Sequence, residues 1–273
     1  MLKKILGLLI ALTMTSQVFA SISVAPMRIE INANKVKGNY ASTSINVRGD
    51  MKKPMRFRVT KGYFTLRSDG LLNIIEDTDT KDLHDISKNI KFVPSEFNVM
   101  PGKEQRVRLN VINLNQLPDG ESRAILFIED VDPKEYNLDT GREGYGAQLI
   151  VKTRLGVPIY VDKGNVVKTG EIEYLKITKE KDGLYTNIKV NSTGNSRIRY
   201  EGKVQIIQGG KKLIDEYRID GHPVPHGGYY VAKDKVKSDK AVLGSSDLIM
   251  RVILSYDDGN GKKQHLKKEV NLN

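Results

Sequence analysis

Few residues in the sequence have the type and spacing needed for catalysis or metal binding. His222 and His226 are separated by Pro-Val-Pro, a spacing that one zinc ion could bridge. A zinc site needs further ligands held by a helix or rigid hairpin, whereas two prolines favour an extended loop. Residues 244–247 (GSSD) lack the glycine-flanked serine of a hydrolase elbow, and the chain contains no cysteine. The sequence therefore predicts a protein that is not an enzyme, with no catalytic residue, no metal and no cofactor.

Alternating apolar and polar residues recur between turn signals along most of the chain. Val107, Leu109 and Val111 alternate with polar residues, and residues 184–190 and 203–207 are further strand candidates. No segment keeps apolar residues at helical spacing for three turns. Short strands bounded by Gly, Asn and Asp are typical of β-sandwiches. We therefore predict an all-β protein.

The N-terminal residues have the pattern of an export signal. Two lysines precede an apolar run over residues 5–14, and Val18-Phe19-Ala20 follows. This order is typical of a secretory signal peptide, so residues 1–20 are expected to be removed. The remaining length predicts two domains. The polar segment 162–170, which contains two glycines, predicts a boundary that gives domains 21–162 and 163–273.

The charge balance also bears on partners. The formal net charge is +11, with 44 Lys and Arg against 33 Asp and Glu. A basic surface suits nucleic acid, anionic lipid or an acidic protein. However, the predicted export and the lack of a basic run with interleaved aromatics argue against nucleic acid. We expect a solvated basic surface, no nucleic-acid partner and no small-molecule substrate.

The first strand changes parity partway along. Ile22 and Val24 share one parity, whereas Met27, Ile29 and Ile31 share the other, and Pro26 lies between them. Because inserting one residue into a strand exchanges its two faces, this pattern predicts a strand that begins in one sheet of a sandwich and ends in the other. Proline suits the crossing because it cannot donate a ladder hydrogen bond.

A long apolar segment closes the first predicted domain. Residues 146–161 (GAQLIVKTRLGVPIYV) are rich in Leu, Ile and Val. Strands usually have about 5–6 residues, so this one is longer than the core of one domain needs. Alternate residues of the segment share one face, namely Ala147, Leu149, Val151, Thr153, Leu155 and Val157.

Together these features resemble the PapD-like periplasmic pilus chaperones, and in particular a divergent or archaic-type branch. The resemblance rests on residues 25–29 (APMRI), 94–108 (PSEFNVMPGKEQRVR), 117–123 (LPDGESR) and 153–160 (TRLGVPIY). It covers the first domain almost entirely and the second more loosely. It implies two immunoglobulin-like β-sandwich domains at an angle.

The resemblance implies a function as well as a fold. The protein would be a periplasmic chaperone that stabilises incomplete pilus subunits by donor-strand complementation and delivers them for assembly. Ala147, Leu149 and Val151 would be the donor residues, whereas Thr153, Leu155 and Val157 would complete the chaperone's own core. Pilin subunits would be partners. An outer-membrane usher and self-association through the edge strand stay open as further partnerships.

The resemblance also implies an anchor for the subunit's C-terminal carboxylate, built from two basic residues in the interdomain cleft. Arg28 falls on the first position, but Gly156 occupies the position where the family has a lysine. Arg154 lies two residues earlier on the same face of the strand, and we predict it as the second anchor. The alternative function is an envelope adhesin or carbohydrate-binding protein with an immunoglobulin-like fold. Such a protein favours exposed aromatics, whereas this chain has no Trp and 7% aromatic residues.

Overall fold

The computed structural model describes residues 22–76, 80–132, 134–142, 145–237 and 246–272, with the backbone alone for 134–142 and 145–147. Within these ranges the chain consists of strands, turns and three short 3-10 helices, which confirms the all-β prediction. No helix in these ranges has the length and apolar character to cross a membrane. The predicted signal peptide lies outside the described residues.

The first half of the chain forms twelve strands and the 3-10 helices Ala33–Lys35, Ser87–Asn89 and Leu114–Gln116. The strands are β1 (Ser23–Ala25), β2 (Ile29–Asn32), β3 (Tyr40–Arg48), β4 (Met55–Leu66), β5 (Leu72–Ile75), β6 (Ile90–Val93), β7 (Glu96–Val99), β8 (Glu104–Ile112), β9 (Gly120–Asp130), β10 (Lys134–Arg142), β11 (Tyr145–Val151) and β12 (Arg154–Lys163).

Two sheets of these strands pack into a sandwich. One sheet has the order β1-β3-β8-β6, and the other has the order β2-β12-β9-β4-β5, with β7 also pairing with β4. Their facing sides supply a core in which Ile45, Phe57, Leu109 and Ile159 are fully buried. Each such side chain contributes about 1.5–3 kcal/mol through the hydrophobic effect. The core therefore depends on β12 as an inner strand of its sheet.

The predicted sheet crossing at the first strand is confirmed. β1 pairs with β3 in one sheet, whereas β2 pairs in parallel with β12 in the other. Val24 is buried before the crossing and Ile29 is buried after it. Pro26 lies between the two strands, so the missing N–H falls where no ladder bond is made.

The described residues of the second half of the chain form eight further strands. They are β13 (Gly170–Glu180), β14 (Gly183–Ser192), β15 (Ile198–Gln208), β16 (Lys212–Ile219), β17 (Pro223–Val224), β18 (Tyr229–Lys235), β19 (Leu248–Asp257) and β20 (Lys263–Asn271). The sheets β13-β14-β18 and β16-β15-β19-β20 enclose a separate core that includes Val190, Val204 and Val252. We place the boundary between the sandwiches in the segment between β12 and β13.

The long apolar segment that the sequence predicts as one strand is two strands in the structure. β11 ends at Val151 and β12 begins at Arg154. β12 pairs with β9, but β11 pairs with β10 in a separate two-stranded ribbon. At the break, the N–H of Asp130 at the end of β9 donates to the carbonyl of Thr153 at 3.0 Å. The ribbon thus extends beyond the sandwich.

Candidate functional site

The outer edge of the ribbon is open. Among the described residues, β11 pairs only with β10, from Val151 opposite Lys134 to Tyr145 opposite Arg142. On the same side of the chain, β12 first meets β2 at Ile159. In the described part of the chain, no strand pairs with this side of β11 or with β12 before Ile159. An open edge of this kind is a template for pairing with another chain.

Apolar side chains accompany the open edge. Leu149 is 48% exposed and Val151 is 40% exposed, and both lie on one face of β11. Ile150, on the opposite face, is 56% exposed. The side chain of Ala147, the third predicted donor residue, lies outside the described residues. The structure thus leaves the two described donor candidates accessible to a partner.

The apolar side chains of the segment are exposed in β11 and become buried where β12 begins. Val157 is fully buried in the core of the first sandwich, and Leu155 packs against the same core. Thr153 lies between the two strands and is partly buried. Residues of one parity therefore face a possible partner in β11 and the protein's own core in β12.

Gly156 stands where the resemblance expects a lysine because neighbouring side chains occupy the space. A Cβ atom at Gly156 would lie 2.8 Å from Cδ1 of Ile125 and 3.6 Å from Cε1 of Phe127. Ile125 and Phe127 belong to a second apolar cluster on the outer face of the sheet, with Phe64 and Tyr160. The space next to Gly156 is thus filled by apolar side chains.

Arg154 caps that outer apolar cluster instead of reaching the interdomain cleft. Its guanidinium lies 3.7 Å from the centroid of the Phe127 ring and forms ion pairs with Glu76 and, at 3.8 Å, with Glu129. Arg28 lies level with Pro158, four residues further along β12, which is roughly 13 Å in a strand. The structure does not bring the two predicted anchor residues together.

Arg28 instead lines a cavity between the two sandwiches. The cavity has a volume of about 370 Å³, and six charged residues form its wall. These residues are Arg28, Glu30, Lys168, Arg197, Arg199 and Asp257. Nε of Arg28 lies 2.7 Å from Oε1 of Glu30, and both side chains are partly exposed. The cavity begins where the open edge of β12 ends.

A buried arginine links the two sandwiches at the floor of this cavity. Arg197 directly precedes β15, and its guanidinium lies 2.7 Å from Glu121 of β9 and 2.8 Å from Glu30 of β2. It also stacks on the ring of Tyr160 at 3.7 Å. Glu121 is fully buried. Removing one partner of such a pair leaves an uncompensated buried charge, so this contact strongly constrains the junction.

The protonation state of Glu121 follows from its surroundings. Burial alone raises the pKa of a carboxyl group, but His226, Arg197 and Arg123 outweigh burial and lower the pKa of Glu121 to about 2. Burial by itself would lower the pKa of Arg197, because it disfavours the charged guanidinium. The carboxylates of Glu121 and Glu30 have the larger combined effect, and the pKa of Arg197 is raised. Both groups are therefore charged at neutral pH.

The histidines that suggested a zinc pair make ring contacts at the same junction. His222 stacks on Tyr230 with ring centroids 4.3 Å apart. His226 contacts His84 at 4.7 Å, and its Nδ1 lies 3.6 Å from Oε1 of Glu121. Among the described residues, no group of three or more His, Cys, Asp and Glu side chains is arranged to hold a metal ion.

Sequence reasoning missed the arginines of the second domain. Arg197 and Arg199 flank the buried Ile198 at the start of β15. Equal parity at a strand entry places their side chains on one face, and that pattern was a usable signal. Their partners are distant in sequence, however, so the interdomain pairing could not be read from local spacing.

The fold and the site define a two-domain β-sandwich protein with an open, apolar strand edge that leads to a charged interdomain cavity. No protein-family model matches the chain. No curated protein matches it either.

Solved structures of fimbrial chaperones are similar to the chain over most of its length. The class 5 fimbriae chaperone CfaA has 13% identity and a TM-score of 0.48, covering 91% of this chain and 98% of that one. The YadV chaperone has 11% identity and a TM-score of 0.47, covering 92% and 100%. The CsuC-CsuE complex of a chaperone and a tip adhesion subunit, from archaic Csu pili of Acinetobacter baumannii, has 11% identity and a TM-score of 0.44, covering 91% and 98%. Function is therefore argued from the site itself.

Restoring a lysine at position 156 should destabilise the protein. Gly156→Lys forces its Cβ against Cδ1 of the buried Ile125, and overpacking of this kind costs about 1–3 kcal/mol. Ile125→Val removes that Cδ1 atom, so the double variant should lose less stability than the two single variants combined. Denaturant unfolding gives the free energy of unfolding of the native protein, the two single variants and the double variant. Strictly additive losses would contradict the proposed contact.

Replacing the buried carboxylate should change the pH dependence of stability. A carboxyl group whose pKa is lowered on folding stabilises the protein above its unfolded pKa, and this contribution is lost as pH falls towards about 2. Glu121→Gln should therefore be less stable than the native protein at neutral pH, by about 3–5 kcal/mol. The difference in unfolding free energy should narrow below about pH 5. A constant difference across that range would show that Glu121 is not ionised in the folded protein.

Proposed function

We propose that this protein is a periplasmic chaperone that binds incomplete pilus subunits by donor-strand complementation and delivers them for assembly. The proposal makes it a binding protein and not an enzyme. The observation that carries it is the open edge of β11, on which Leu149 and Val151 remain exposed on one face. Ala147 has the same parity and completes the donor set.

β-Augmentation explains how such an edge binds a subunit. An added strand takes its hydrogen bonds from the open backbone, and alternate side chains of the edge enter the partner's groove. A subunit that lacks one strand has an exposed apolar core. Covering that core yields about 25 cal/mol for each Å² of apolar area. The exposed Leu149 and Val151 supply apolar area at alternate positions.

The position of Arg28 suits the end of the added strand. β2 pairs in parallel with β12 from Ile159 onward, and Arg28 directly precedes β2. A strand added to the open edge would lie in line with β2 and meet Arg28 at its end. If it runs parallel to β11 and β12, that end is its C-terminus. A guanidinium binds a carboxylate through charge-assisted hydrogen bonds, so Arg28 would anchor the subunit's terminal carboxylate.

The partners of the proposed chaperone are pilin subunits. Delivery for assembly adds an outer-membrane usher as a second partner, and the same open edge offers a route to self-association when no subunit is bound. The adhesin alternative is not favoured.

Introducing charge on the donor face should abolish subunit binding without unfolding the protein. Leu149→Asp combined with Val151→Asp places carboxylates where an apolar groove must cover them, which desolvates unpaired charges. Co-expression with a pilin subunit, followed by recovery of soluble subunit from the periplasm, measures the effect. Recovery should fall by more than about tenfold.

A matched control lies on the opposite face of the same strand. Ile150→Asp introduces the same charge at an exposed position, and subunit recovery should stay near the native level. Equal loss in both variants would mean that the face of β11 does not select the partner. Normal recovery with the double variant would contradict donor-strand binding.

A further inference from the structure

Two arginines from different domains line the interdomain cavity. Arg28 precedes β2 of the first sandwich, and Arg199 lies on β15 of the second. Burial lowers the pKa of Arg199, and the charge of Arg28 lowers it further. The two arginines thus share one cavity in which their like charges repel each other.

Arg199 differs from the other cations of the cavity because it has no ionic partner. Arg28 pairs with Glu30, Arg197 pairs with Glu121, and Lys168 lies 2.8 Å from Asp162. Within the described part of the chain, Arg199 makes no ion pair and no side-chain hydrogen bond. Asp257 also lines the cavity, but its Oδ1 accepts the backbone N–H of Gly259 at 2.6 Å.

Two guanidinium groups that line one cavity, of which Arg28 is paired with Glu30 and Arg199 is not paired, favour a further anion. Like charges at close range destabilise each other's charged state, and a bound anion removes that cost. The planar fork of arginine fits both oxygens of a carboxylate. The free protein therefore holds an unused donor group directed at the proposed site of the subunit's C-terminus.

We propose that Arg199 is the second cation of the carboxylate anchor, so that the C-terminal carboxylate of the bound strand bridges Arg28 of the first domain and Arg199 of the second. This inference rests on the proposed function and replaces Arg154 in the anchor. It also means that the second sandwich contributes directly to binding. The bound carboxylate would contact both domains next to the ion pairs that Arg197 makes across the junction.

A second cavity lies beside Arg199. It has a volume of about 320 Å³ and shares Arg199 and Asp257 with the first cavity. Two further charged residues of its wall, Lys263 and Glu201, pair with each other at 2.7 Å. This cavity would take the side chain of the last residue of the bound strand, and an uncharged side chain fits it better than an acidic one because Lys263 is already paired.

Short peptides test the anchor in the full chain. The probe is a peptide of alternating apolar residues that ends in Phe, prepared as the free acid and as the C-terminal amide. The native protein should bind the acid more tightly, by about tenfold or more, since a lost bond to a charged group has an effect of that size. Arg199→Gln should remove most of this preference, and Arg199→Lys should retain part of it.

The matched control is Arg218→Gln, an exposed arginine on β16 that does not line either cavity. It should keep the full preference for the acid. Because Arg199 has no partner in the free protein, Arg199→Gln should not lower the melting temperature. A fall in melting temperature together with equal loss of acid and amide binding would indicate a structural role and overturn the inference.

Further outcomes separate this inference from the proposed function. If Arg199→Gln keeps the preference for the acid while the charged donor-face variant loses peptide binding, the anchor assignment is wrong and the chaperone function stands. If the native protein binds neither peptide, both fail. If sulfate stabilises the protein through Arg199 but acid and amide bind equally, the cavity is an inorganic-anion site. Equal binding of peptides that end in Phe and in Glu would overturn the side-chain cavity alone.

Discussion

An open strand edge is the constraint on which the rest of the structure depends. β12 is an inner strand that pairs with β9 and β2, whereas β11 continues the same chain with one edge free. A free edge with exposed apolar side chains favours association with other chains. The fold places this edge on a ribbon whose described side chains, at residues 148–151, are all exposed, so these residues can meet a partner without disturbing the core of the sandwich.

The junction between the sandwiches places the end of that edge beside a fixed charge pattern. Arg197 reaches from the second domain to Glu121 and Glu30 of the first. Its burial makes the contact costly to open, so the cavity above it has a defined shape. Arg28 and Arg199 line the cavity above this pair. In the proposed complex, binding energy along the strand and recognition of its end come from separate parts of the chain.

Much of the fold follows from local patterns, and the site follows only in part. The parity change around Pro26 predicts the sheet crossing because strand faces alternate. The exposure of Leu149 and Val151 follows from the excess length of their segment. The filling of the space at Gly156 depends on the packing of Ile125, which no local pattern reveals. Arg199 was missed for the same reason, since its neighbour Arg28 is distant in sequence.

Amide hydrogen exchange tests the central claim most directly. The full chain is measured alone and in complex with a co-expressed pilin subunit. The account predicts that the amides of residues 148–151 that point away from β10 exchange more than about tenfold slower in the complex, because the open edge gains a strand, while the amides of the edge strand β20 are unchanged. Unchanged exchange in residues 148–151 in a stable complex, with protection elsewhere, would contradict donor-strand binding.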